Sequence, residues 1–385
     1  MTRMMDIIKK QEALDILLKV LSIPSVNGKD NEGIIAQFIC DYLNRNDVEA
    51  EVQYIDETHS NVIAKVQGQE EDRCIIWNGH LDTVPYGNLQ EWLTNPELPV
   101  EIDNRVYGRG ASDMKSGLAA MVYALCQLKK RTEKPQKTIY FIGTCDEEKG
   151  GLGAECILKK YDFIKRGQLL LIGEPTGCNL GVAQKGCIWI ELHIEGKTSH
   201  GAYPKEGLNA VESGFQIISE LKEYISSFNH EILGESTMQI TGIEGGVANN
   251  MTPDKCKFIL DIRVVPQLSL SMIEEKLLYI VEKFNKGREM KLQYSSKVLN
   301  SRIAIEISKD NLWLKRFEEN LLNSGDKPKY IGINYFTDGS ILAREDKDLP
   351  VLLFGPGEPS EAHKPNEWVD MEKYYKAIDT LLNIF

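Results

Sequence analysis

Four short apolar runs punctuate the chain, and each ends in a polar loop. Cys74–Trp77 runs into Asn78-Gly79-His80-Leu81-Asp82, and Thr138–Thr144 into Cys145-Asp146-Glu147-Glu148. Leu169–Ile172 runs into Gly173-Glu174-Pro175, and Val351–Phe354 into Gly355-Pro356-Gly357 and then His363. Unbroken apolar runs of this length predict strands covered on both faces, as in the parallel or mixed sheets of α/β proteins. Ser116–Lys129 carries apolar residues three and four apart, which predicts a helix between the first two strands.

From about Val182 the pattern changes. Cys187–Glu195 alternates, with Ile188, Ile190, Leu192 and Ile194 on one side and Trp189, Glu191, His193 and Glu195 on the other. Lys257–Val264 alternates likewise, and both predict strands of a sheet with one open face. Helical spacing at Ala210–Ile225 and Leu270–Phe284 separates them. The reading is a discontinuous catalytic unit, residues 1–181 and 297–385, with a mixed, mainly parallel α/β sheet flanked by helices. A smaller α+β unit, residues 182–296, is inserted into it. At 385 residues two units are the default, because single cores stop growing well below that length.

A net charge of −12 argues against a nucleic-acid partner, which needs a basic face. The N-terminal residues lack the apolar core of a signal peptide, and no run approaches a membrane span. The eight cysteines form no CxxC pair and several lie inside apolar runs, which fits a reducing compartment and a cytoplasmic location. It also leaves thiolates out of any metal site.

The chemistry lies where the apolar runs stop. Ligands of open α/β sheets bind beyond the carboxyl ends of the strands, and all four ends carry candidate metal donors: His80, the pair Glu147 and Glu148, Glu174, and His363. Asp113, in a glycine-rich loop just before the Ser116 helix, is a fifth. Imidazole and carboxylate are natural zinc ligands when no thiolate set exists. Residues two apart in extended chain point the same way, so Asp82 can hold the His80 ring, although His-x-Asp alone also suits an ordinary turn with a capping aspartate. Adjacent Glu147 and Glu148 suit one metal ligand and one general base, although alone they also suit a solvated loop. Two zinc ions carry four positive charges, and Asp113, Glu148 and Glu174 leave +1, which a bridging hydroxide cancels while supplying the nucleophile for amide hydrolysis. His59, His193 and His230 have no such context and read as structural or exposed.

Together, Gly79-His80-Leu81-Asp82-Thr83-Val84-Pro85, Gly108-Arg109-Gly110-Ala111-Ser112-Asp113-Met114-Lys115, Asp146-Glu147-Glu148, Gly173-Glu174-Pro175 and Ala362-His363-Lys364-Pro365-Asn366-Glu367 resemble the M20 metallopeptidase family. The likeness runs in order along nearly the whole chain and is nearest to the branch of acetylornithine deacetylase and succinyl-diaminopimelate desuccinylase. The resemblance implies one zinc on His80, Asp113 and Glu174, another on Asp113, Glu148 and His363, and a cis Asp113–Met114 peptide. Cobalt or manganese could substitute for zinc. It implies Glu147 as general base and Asp82 as the residue orienting His80. The insertion would be a ferredoxin-like lid that makes a homodimer and carries His200, which stabilises the oxyanion in the partner's site. Asn250, Arg263 and Gly339 would contact substrate. For Arg263, a solvated arginine on the open sheet face stands as the other reading.

The function expected is hydrolysis of an N-acyl amino acid, of the acetylornithine or succinyl-diaminopimelate kind used in amino-acid biosynthesis. A dipeptidase or carboxypeptidase of the same chemistry is the first alternative, and a catalytically inactive binding or scaffold protein is the second.

Overall fold

The computed structural model describes residues 7–346 and 348–385, and it divides into two compact units. The first comprises the described residues up to Val182 together with Ile307–Ile331 and Thr337–Phe385. Its sheet is built on β1 (Glu49–Tyr54), β2 (Ser60–Val66), β3 (Glu70–His80), β4 (Lys137–Thr144), β5 (Gly167–Ile172), β6 (Leu180–Gln184) and, late in the chain, β11 (Val351–Leu353). The order is β1-β2-β4-β3-β5-β11-β6. Its centre, β4-β3-β5-β11, is parallel throughout, and the flanking pairs β1/β2, β2/β4 and β11/β6 are antiparallel.

The four central strands are those the apolar runs predict. Each is buried along its working length, for instance Ile75, Ile76 and Trp77 of β3 and Leu169–Leu171 of β5 at 0% exposure. Helices α1 (Ile7–Leu21), α2 (Gly33–Arg45) and α3 (Lys115–Lys129) precede the insertion. Almost every residue of α3 is buried, because it packs on β3 between α1 and the C-terminal helix Met371–Ile384. Close approach at the end of β5 requires glycine: a Cβ on Gly117 of α3 would strike the carbonyl of Gly173.

The second unit comprises Ala183–Glu306 and Gly332–Phe336. It contains β7 (Gly186–Glu195), α4 (Ala210–Ser226), β8 (Thr237–Gly245), β9 (Lys255–Val264), α5 (Leu270–Asn285) and β10 (Gln293–Arg302). The sheet order is β8-β9-β7-β10, antiparallel throughout, so the βαββαβ chain order gives the ferredoxin-like arrangement. Ile188, Ile190, Leu192 and Ile194 are all at most 2% exposed and join Ile217, Leu221, Phe258, Ile273 and Leu277 in one core. Fully burying each such side chain contributes roughly 1.5–3 kcal/mol. Asn209 and Ser269 start the two helices, their side chains accepting from Val211 N (3.0 Å) and Met272 N (3.4 Å).

The expected return to the first unit at residue 297 falls inside β10, which pairs with β7 from Gln293 to Arg302 and carries the second unit on to Glu306. The sequence Gln-Tyr-Ser-Ser-Lys-Val-Leu-Asn-Ser-Arg hides this strand. It lies at the sheet edge, and Arg302 is its one fully buried residue.

Candidate metal centre

Parallel pairing of β4, β3, β5 and β11 brings their carboxyl ends to one edge, and the candidate donors follow from that. His80 is the last residue of β3, Glu147 and Glu148 follow β4, Glu174 follows β5, and His363 lies beyond β11. Asp113 comes from the turn before α3, and its peptide to Met114 is cis. His80 Nε2 lies 3.0 Å from Asp113 Oδ1 and 3.9 Å from Glu174 Oε1. His363 Nε2 lies 3.3 Å from Asp113 Oδ2 and 3.1 Å from Glu148 Oε2. The two Asp113 oxygens thus face different imidazoles. Donor atoms of His80, Asp113 and Glu148 all lie within 4.8 Å of one another, close enough to share an ion.

The electrostatics fit a cation. Burial pushes the Glu147, Glu174 and Glu148 carboxyls above their ordinary range, and neighbouring carboxylates add to it: Glu174 and Asp338 for Glu147, Asp113 for Glu174 and for Glu148. Burial alone would depress His80, but Asp113, Glu174 and Glu147 outweigh it and raise the imidazole well above its usual value. His363 is pushed up to about 10 by its hydrogen bonds to Asp113 and Glu148. Asp113, despite burial, is held low by His363 and His80. Four acidic groups crowded beside two imidazoles form a donor set whose repulsion divalent cations would relieve.

Asp82 does not work as expected. His80 Nδ1 meets the Asp82 main-chain carbonyl at 3.0 Å, whereas the nearer carboxylate oxygen stands 3.7 Å away. The carboxylate instead accepts from Glu147 N and Glu148 N, both at 3.1 Å, and from Asn27 Nδ2 at 2.8 Å. The reason is the turn at Asp146, whose φ of 59° swings both following N–H groups toward Asp82. Asp82 therefore fixes the acidic loop with its side chain and the His80 ring with its backbone.

Residues outside the sequence motifs, Asn27 and Glu32, support this loop from behind. Asn27 Nδ2 also donates to Asp146 Oδ1 (3.0 Å), and Asp146 N donates to buried Glu32 Oε2 (2.8 Å). Lys115, 2% exposed, donates to Ile23 O at 2.7 Å. A lysine heading an otherwise apolar helix, at the end of the Gly108–Lys115 motif, was the available signal for it.

Gly339 lies in the first unit, buried at the start of a short helix, with its N–H donating to Thr337 Oγ1 (3.2 Å). His200, Asn250 and Arg263 lie in the second unit. His200 and Asn250 are neighbours there: His200 bridges to Met251, and Gly201 N donates to Asn250 O at 2.7 Å. Arg263 is engaged by Asp261, with Nε to Oδ1 at 2.8 Å and Nη2 to Oδ2 at 2.9 Å, and Trp189 Nε1 donates to the same carboxylate at 2.8 Å. Its guanidinium is thus paired on the sheet face, 5.9 Å from the Phe336 ring centre. All eight cysteines are free, and burial pushes the Cys145 thiol far above its usual range, which disfavours its thiolate form.

A sequence profile described as peptidase family M20/M25/M40 matches residues 76–385. A Staphylococcus aureus (strain MRSA252) protein named "Probable succinyl-diaminopimelate desuccinylase" is 26% identical over 399 residues, covering 96% of each chain. Among solved structures, aminopeptidase PepT from Bacillus cereus superposes with a TM-score of 0.76 at 19% identity, over 97% of both chains. A Bacillus subtilis protein described as a dinuclear metal binding peptidase superposes with a TM-score of 0.74 at 16% identity, over 98% of both. Those two likenesses establish the fold.

Proposed function

The chain belongs to peptidase family M20/M25/M40, and on that premise we propose that it hydrolyses the amide bond of an N-acyl amino acid. The observation that carries the hydrolase reading is the cluster of His80, Asp113, Glu148, Glu174 and His363 at one sheet edge, with Glu147 beside it. The name borne by the Staphylococcus aureus relative supports an acyl substrate of the succinyl-diaminopimelate kind.

His80, Asp113 and Glu174 would hold one divalent cation and Asp113, Glu148 and His363 the other, with zinc favoured by this imidazole and carboxylate set. When bound, such ions polarise the scissile carbonyl and make a water acidic. Glu147 is the proton carrier. Its carboxyl is raised by burial and by Glu174, Asp338 and Glu148, so it can take a proton from water and return it to the leaving nitrogen. Asp82 holds the Glu147 and Glu148 backbone so that base and ligand keep their separation. In the second unit, exposed His200 would serve the oxyanion in a partner copy, with Asn250 beside it, and Gly339 would contact substrate from the first. Arg263 would grip a substrate carboxylate only by exchanging Asp261 for it. Dimerisation through the second unit and a cytoplasmic location belong to the same reading.

A dipeptidase or carboxypeptidase is the second reading, favoured by the fold shared with an aminopeptidase. The test is a zinc-, cobalt- and manganese-supplemented screen of N-acetyl amino acids, N-succinyl amino acids and dipeptides, with Glu147→Gln as control. Release of free amine from the acyl substrates supports the proposal. Cleavage of dipeptides alone overturns it in favour of the second reading, and equal turnover by Glu147→Gln overturns the mechanism.

A further inference from the structure

Glu367 has no solvent exposure, yet it is a carboxylate a few residues after His363 and is placed among none of the metal donors. Both of its oxygens are spent on one loop. Oε1 accepts from Ser112 N at 2.8 Å and Asp113 N at 2.9 Å, and Oε2 accepts from Gly110 N at 3.0 Å and Arg109 Nη1 at 2.8 Å. Its own carbonyl takes Gly108 N at 3.0 Å. One side chain therefore accepts from three N–H groups of the Gly110–Asp113 loop and from one guanidinium nitrogen.

We propose that Glu367 is the positioning residue that forces Asp113 into its bridging role and ties it to His363. The inference rests on the metal-site reading above. Aspartate side chains readily bond the N–H groups of their own neighbourhood, which competes with any outward task. Here Glu367 occupies the N–H groups of Ser112 and Asp113. The Asp113 carboxylate is left pointing outward, Oδ1 to His80 and Oδ2 to His363. Because Glu367 and His363 share one short segment, the same contacts set the distance between the bridging donor and the terminal imidazole. His363 is half exposed. Asn366 adds a second tie, its Nδ2 donating to Glu91 O at 2.9 Å.

The test measures metal affinity rather than turnover. Full-length protein is stripped with chelator and titrated with Co2+ alone, following the visible absorption of the bound ion, for wild type, Glu367→Asp and Glu367→Gln. The melting temperature of each metal-free protein is recorded beside it. Glu367→Gln keeps the size but presents a donor to one pair of N–H groups, and it is expected to weaken Co2+ binding about ten- to a hundredfold and to alter the absorption band. Glu367→Asp keeps the charge but withdraws it, and falls between; it also keeps the test open if the glutamine variant does not fold. Affinities within about threefold of wild type in folded variants overturn the inference while leaving the metal-site reading intact. Affinity losses that merely follow the fall in metal-free melting temperature overturn it as well, since they mark a structural residue. Wild-type protein that binds no Co2+ overturns the metal-site reading and the inference with it.

Discussion

Replacing Asp82 by asparagine tests how the acidic loop is held. Asp82 is fully buried and presents acceptors on both sides, one to Glu147 N and the other to Glu148 N and Asn27 Nδ2. Asparagine offers one oxygen and one NH2 group. In its better orientation the oxygen keeps Glu148 N and Asn27, and the NH2 group faces Glu147 N, leaving one buried N–H without an acceptor. Such an orphan costs about 1–3 kcal/mol, and the two remaining bonds lose their ionic character, worth roughly another 1 kcal/mol. The expected loss is therefore about 2–4 kcal/mol. Urea unfolding of the chelator-stripped protein measures it, free of any contribution from bound ions, and m should not change. Asn27→Ala completes a double-mutant cycle: it should cost less in the Asp82→Asn background than in wild type, because its partner there is already weakened. A variant within about 0.5 kcal/mol of wild type, or strictly additive losses, would refute the account.

Three further outcomes follow from the same structure. Glu147→Gln should lower kcat by about 10²- to 10⁴-fold while the metal content, measured by atomic absorption, stays at the wild-type level. Glu32 is pushed up to about 9 by burial, Asp82 and Asp146; the folded state thus binds its proton more tightly than the unfolded chain, and stability falls as pH rises from the ordinary carboxylate value toward 9. Glu32→Gln should flatten that decline in melting temperature, and an unchanged slope would exclude the group as its source. Gly117→Ala drives a Cβ into the Gly173 carbonyl and should destabilise the protein by about 1–3 kcal/mol in urea unfolding, whereas an unaffected midpoint would mean that the end of β5 yields freely.

The donors were legible because their positions are fixed by topology: apolar runs long enough to be buried on both faces imply parallel strands, and parallel strands put their polar exits on one edge. An inserted α+β unit was legible from the alternation in β7 and β9, whose apolar faces meet α4 and α5, while its ferredoxin-like order came only from the family resemblance. Its end was not, because β10 is an edge strand with scant apolar alternation. The roles of Asp82 and Glu367 were hidden for a different reason. Their partners are mainly main-chain N–H groups, which every residue carries and no motif marks. The Asp261–Arg263 pair could have been read from its spacing, since residues two apart on a strand share a face. The cover given by Glu32 and Asn27 could not, because it depends on how the residues after α1 turn back to pair with Leu81 and Thr83 beyond β3.

The parallel centre of the first unit also has a history written into it. Strand β11 pairs with β5 and β6, yet it lies beyond the whole inserted unit in the chain. At a ribosomal rate of about 5–20 residues per second, the edge of β5 waits on the order of ten seconds or more for its neighbour. In that interval β7 to β10 leave the ribosome complete and can fold as a separate body, while His80, Asp113, Glu148 and Glu174 already exist without His363. The nascent chain therefore carries an incomplete set of acidic donors beside an unpaired strand edge, and both are completed by residues 351–363, made after the inserted unit.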